Sequence, residues 1–138
     1  MKQTLKLILI GIAGGIVLAV FLKIIQQITA NQAYCLLFET DYVPILQNWS
    51  DLIGMGMAFH FITCIASVVV LFYLLKGLHL ERRCLPYVLV YTIGGAILFS
   101  LTALSENTPA ITDVAAWGFW TLGHALFAIT VGLLVKYW

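Results

Sequence analysis

Residues 66–95 read ASVVVLFYLL, then KGLHLERR, then CLPYVLVYTIGG. Two apolar runs flank a turn that carries Lys76, Arg82 and Arg83, and no charge interrupts either run. A helix that is apolar all round has no face for water and must lie in a core or a bilayer. Working outward, the alternation repeats to both ends of the chain. Lys2, Lys6 and Lys136 bracket the outermost apolar runs, whereas Glu39, Asp41, Asp51, Glu106 and Asp113 occupy the other connections. Lys and Arg gather on the cytoplasmic side of membrane proteins. Four spanning helices with both termini in the cytoplasm therefore account for every Lys and Arg except Lys23.

Composition leads to the same place. The 138 residues are 62% hydrophobic and 9% charged, with a mean hydropathy of +1.03. A soluble domain carries about 25% charged residues. A span takes ~20 residues to cross ~30 Å of hydrocarbon, so four spans use most of the chain. The expectation is one all-α transmembrane domain over 1–138, an integral four-helix bundle with spans near 5–28, 51–75, 86–104 and 113–136. A net charge of +1, with no basic arm or aromatic platform, argues against nucleic acid as a partner. The start imitates a signal peptide, but its apolar run is long and lacks a small-x-small cleavage site, so it reads as an uncleaved first helix. Cys35, Cys64 and Cys84 fall in an outer loop, inside a span and at the inner face, which leaves no pair able to form a disulfide.

Small residues recur every fourth position on two helices: Gly11, Gly15 and Ala19 on the first, Thr92, Ala96 and Ser100 on the third. Such stripes let backbones approach closely, and they raise the expectation of a homo-oligomer. Gly14-Gly15-Ile16-Val17-Leu18 aligns with Gly94-Gly95-Ala96-Ile97-Leu98, and the segment around His60 aligns with that around His124. The chain thus reads as two helical hairpins in tandem, related by an axis along the membrane normal. The first hairpin has the longer outer connection, 29–50, whose mix of aromatics, acids and Pro44 suits the headgroup region.

The residues able to carry chemistry lie in the outer half of the bundle. Counted from the outer acids, His60 and His124 fall at similar depth. Ionisable groups inside a membrane usually face a bundle interior or a water path. His60, Thr63, Cys64 and Ser67 share one face of their helix; Trp117, Trp120 and His124 share one face of theirs. Several readings stay open. The imidazoles could respond to protons, since their reference pKa is about 6.5, or hold a small ligand in a polar pocket with Lys23, Thr63 and Ser67. They could bind haem b axially, or His60 and His124 with Met57 and Cys64 could hold copper. Each imidazole could also simply bond a neighbouring helix and set its register. Lys23 either snorkels to the headgroups or turns inward toward Asp51 or Glu106. No cofactor is otherwise expected, and no nucleophile–base pair or phosphate-cradling glycine loop suggests an enzyme.

Gly11-Ile12-Ala13-Gly14-Gly15 followed by Lys23, His60 with Ser67, Gly94-Gly95, and Gly123-His124-Ala125-Leu126 together resemble the YagU-like family of small bacterial inner-membrane proteins. The resemblance spans most of the chain. It implies an integral protein of the inner membrane with a link to acid resistance. This chain departs from the pattern in its shorter length, its poorer outer loop and the lack of an acid just before Gly123-His124. The resulting expectation is a non-enzymatic envelope protein whose outer-half pocket senses protons or holds a small ligand. Its rivals are a haem or copper protein and an immunity or accessory subunit bound to a membrane-protein partner.

Overall fold

The computed structural model describes residues 2–40, 54–104 and 109–138. Four helices make up nearly all of it: α1 (Lys2–Thr29), α2 (Met55–Gly77), α3 (Cys84–Leu98) and α4 (Val114–Tyr137). A short 3₁₀ segment, Gln32–Leu37, follows α1, and another, Phe99–Leu104, prolongs α3. Counting that extension, all four are long and apolar enough to cross a membrane. Among the described residues there is no strand.

Local chemistry sets the helix ends. The Asp113 carboxylate accepts the Ala116 N–H at 2.9 Å, satisfying one of the donors a helix start leaves free. The start expected for the second span, near 51, lies outside the described residues, as do Asp41 and Glu106. At the other end of α2, His79 adopts a left-handed φ of 56°. The His79 N–H then bonds the Lys76 carbonyl and the Leu80 N–H bonds the Leu75 carbonyl. This is a Schellman stop, closed by Leu80 packing back on the buried core.

The helices run alternately up and down, so both termini reach one end, where Lys6 Nζ donates to the Trp138 carbonyl at 2.8 Å. Helix α1 packs on α2 and on α4, and α4 packs on α3, whereas α2 and α3 barely meet. Large apolar side chains such as Val20, Ile62, Leu74 and Ile93 point away from the bundle. Water would not tolerate so continuous an apolar exterior; lipid does. The described part of the first connection folds onto the bundle end, burying Ala33, Leu36 and Leu37 and setting Phe38 against Gly56; its remainder, 41–50, lies outside the described residues.

Glycines mark where the helices touch. A Cβ on Gly11 would stand 2.7 Å from the Ile65 Cα, and one on Gly15 would meet Phe61 and Cys64 at 3.1 and 3.3 Å. The Gly11–Gly15 stripe is therefore used inside the chain, by α2, and is not free to join another copy. On α3 the inward row is Tyr87, Tyr91 and Gly95. The stripe Thr92, Ala96 and Ser100 is turned one residue away from it, and Ser100 is exposed. Gly118, by contrast, faces open space. Gly11→Ala should therefore lower stability by about 1–3 kcal/mol through overpacking against backbone, while Gly118→Ala should be neutral or mildly stabilising. Reversible unfolding in mixed micelles checks both.

Candidate functional site

Two hydrogen bonds hold the hairpins at their midpoints, each accepted by the second glycine of a Gly-Gly pair. In the first hairpin, His60 Nε2 donates across to the Gly15 carbonyl at 3.1 Å. In the second, Trp120 Nε1 donates to the Gly95 carbonyl at 2.9 Å. A Cβ at Gly95 would overlap the ring of His124. Only glycine lets these rings reach a helical backbone that already spends one carbonyl lone pair on its own ladder.

The register places the two histidines at one level. Gly11 faces Ile65 and Gly15 faces Phe61, so His60 stands opposite Ile16. Gly14 faces Phe127 and Gly123 faces Leu18, so His124 stands opposite Val17. Their surroundings differ. His60 turns to α1, with Phe38 and Phe61 edge-on to its ring at centroid distances of 6.2 and 5.0 Å. His124 leans on Trp120 at 4.5 Å, and its Nδ1 donates to the Trp120 carbonyl at 2.9 Å.

These bonds assign the tautomers of the neutral rings, because a carbonyl only accepts. His60 carries its proton on Nε2 and keeps a lone pair on Nδ1. Cys64 Sγ lies 3.9 Å from that nitrogen, close enough for a weak S–H donation. His124 carries its proton on Nδ1, which leaves Nε2 as an acceptor.

Between α2 and α3 lies a cleft of about 250 Å³. Thr63, Cys64 and Ser67 line one wall and Tyr91 and Gly94 the other, with His124 and Phe127 of α4 at the back. Among the described residues that line it there is no Lys, Arg, Asp or Glu. Most of the polar groups there are spoken for: Thr63 Oγ1 donates to the Phe59 carbonyl at 2.8 Å and Ser67 Oγ to the Cys64 carbonyl at 2.9 Å. The Tyr91 hydroxyl is not. Tyr91 is only 9% exposed, its ring is fixed edge-on against Phe127 at 4.8 Å, and its oxygen, closed off from the cleft, makes no short hydrogen bond among the described residues. The Ser67 hydroxyl is the group placed to take up its proton. Thr92 carries the other buried hydroxyl without a partner among the described residues.

Of the residues singled out in the sequence, the cleft thus gathers Thr63, Cys64, Ser67 and His124. His60 stands behind it, reaching it only through Cys64. Lys23 does not join them: it is exposed, donates to Gln26 Oε1 at 2.9 Å and lies 4.7 Å above the Tyr34 ring. Met57, one turn before His60 on α2, is 44% exposed. Among the described residues, no three His, Cys, Asp or Glu side chains are grouped as a metal shell. Trp117 and Trp120, which share a face with His124, both bond α3, Trp117 Nε1 to the Ala96 carbonyl at 3.1 Å and Trp120 Nε1 to the Gly95 carbonyl. Sequence reasoning passed over Tyr91. Its signal was available: in the repeat alignment Tyr91 occupies the place of Gly11, a bulky phenol where the first hairpin needs no side chain.

A buried hydroxyl without a partner costs about 1–3 kcal/mol. Tyr91→Phe should accordingly leave the ligand-free protein as stable as the parent or more so. A loss of about 1 kcal/mol in the same unfolding measurement would mean instead that Tyr91 is bonded within the protein.

Comparison of the chain with protein-family models, with curated proteins and with solved structures returns no match.

Proposed function

We propose that this chain is a multi-pass protein of a bacterial cytoplasmic membrane that holds a small lipid-soluble molecule in the α2–α3 cleft, without transforming it. One observation carries this reading: a cleft of about 250 Å³ between α2 and α3, with His124 at its back, that no side chain among the described residues fills. Polar groups within hydrocarbon nearly always find partners, because no water can supply one. The lone pair on His124 Nε2 is left over when Nδ1 bonds the Trp120 carbonyl, and a ligand O–H would use it.

Holding is favoured over proton sensing by the same geometry. His60 is committed to the Gly15 carbonyl, Lys23 faces Tyr34, and no acid among the described residues lines the cleft. A cavity of this size lies at the small end for ligand sites, which suits a molecule of one or two rings or a short chain better than a whole phospholipid.

Both termini are assigned to the cytoplasm by the cations around Lys2, Lys76 and Lys136, against the acids at the opposite end. A fluorescent protein fused after Trp138 should fold and emit, and alkaline phosphatase fused after Ala110 should be active while the same fusion after Leu78 is not. The reverse pattern would invert the topology.

Protein extracted with its lipid annulus in a styrene–maleic acid polymer should release a small molecule at close to one per chain on organic extraction. It should be lost from the Thr63→Phe/Ser67→Val variant. A cleft bound only by bulk phospholipid, in the same amount in both proteins, would end the ligand-holding reading.

A further inference from the structure

The two hairpins can be matched residue by residue, 14 and 15 with 94 and 95, and 60 with 124. The matched helices bury matched positions: Leu7, Gly11, Gly15 and Leu22 in α1, Tyr87, Tyr91, Gly95 and Thr102 in and just after α3. Each hairpin closes on itself in the same way, through its second glycine and its histidine-bearing helix. A bundle with this symmetry should also repeat the seam between hairpins. It has one such seam filled, α1 with α4, and the other, α3 with α2, left open.

The reason lies in two pairs of residues. In the filled seam, Phe127 and Val131 of α4 cover Gly14, at 2.9 and 3.1 Å from the position of its absent Cβ. Their counterparts on α2 are Thr63 and Ser67, and the counterpart of Gly14 is Gly94, which has nothing within 4 Å. The flanking residues record the difference. Ile10 and Leu18 are each 2% exposed, while their counterparts Val90 and Leu98 are 48% and 49% exposed. What this seam lacks, relative to its twin, is a phenyl ring and a branched alkyl group. All four residues, Thr63, Ser67, Gly94 and Leu98, line the cleft.

We infer that the vacated seam is a site for an uncharged phenol- or quinol-type ring, taken from the acyl-chain region between Val90 and Leu98. This rests on the ligand-holding reading above and specifies its chemistry. The ring would take the volume that Phe127 fills in the twin seam, over Gly94 and beside Thr63, with Phe127 and Tyr91 as its aromatic walls. Its O–H donates to the lone pair that His124 Nε2 keeps. The described residues that line the cleft carry no Lys, Arg, Asp or Glu, which selects a neutral molecule, since an ion beside them would go unpaired.

The test uses the full chain in lipid nanodiscs with 2-naphthol as fluorescent probe, and naphthalene and 1-decanol as comparators. 2-Naphthol should bind saturably, one per chain, and more tightly than naphthalene. His124→Leu should weaken it roughly fivefold. Thr63→Phe should abolish the saturable component and raise the unfolding temperature by completing the seam. The His124→Leu variant keeps the test decisive if Thr63→Phe does not fold. Equal binding of naphthalene and 2-naphthol, or 2-naphthol uptake that only partitions into lipid, overturns the phenol assignment. Saturable binding of 1-decanol, lost in Thr63→Phe while 2-naphthol only partitions, would overturn that assignment alone and leave the cleft a ligand site. No saturable binding by any of the three, with nothing recovered on extraction, would remove both.

Discussion

The structure depends on close approach at the second glycine of each Gly-Gly pair. In a bilayer, apolar side chains gain little by leaving lipid for protein, so helices associate through packing and interhelical hydrogen bonds. Gly15 and Gly95 supply both. Without a Cβ, each lets a ring from the next helix lie against its backbone, and each carbonyl accepts a ring N–H, from His60 in one hairpin and Trp120 in the other. The register that levels the two histidines and the tautomer of His60 follow from those contacts, while His124 takes its tautomer from the Trp120 carbonyl one turn back on α4.

Matched hairpins need not be identical, and the differences here are where the chemistry collects. Position 120 carries an indole that bonds α3; its counterpart, Gly56, carries nothing and is covered by Phe38 from the first connection. That exchange frees His60 to take the glycine carbonyl itself. At the seams, Phe127 and Val131 against Thr63 and Ser67 decide which one closes. Exchanging a ring and an isopropyl group for two hydroxyl-bearing side chains removes packing volume and adds polarity together. The opening therefore combines a small cavity with hydrogen-bonding side chains, Thr63, Ser67 and His124, in its lining.

Much of the architecture could be read from residue order. Membrane spans are set by length and composition, so the basic turn at 76–83, the acid at 113 that caps α4 and the apolar runs between them sufficed. The repeat was legible in two Gly-Gly pairs and two histidines. The facing of the helices was not. In a soluble protein an apolar stripe names the buried face, whereas here the outward residues Ile93 and Ile97 are as apolar as the inward ones. The small-residue stripe on α3 was consequently read one residue, or ~100° of rotation, away from the row Tyr87, Tyr91 and Gly95. Lys23 shows the same ambiguity: its chain position allowed an inward or an outward turn, and the Tyr34 ring and Gln26 decide for the outward one.

Sequence by itself determined four apolar helices, the ends at which their charges lie, and two histidines at one depth, because each of these follows from counting residues along a helix. Tertiary structure alone decided that those histidines sit in different surroundings, that the glycine stripe of α1 is spent on α2, and that one of two equivalent seams stands open. Those outcomes turn on which residues of different helices meet across a gap, and in a uniformly apolar chain no local pattern records it.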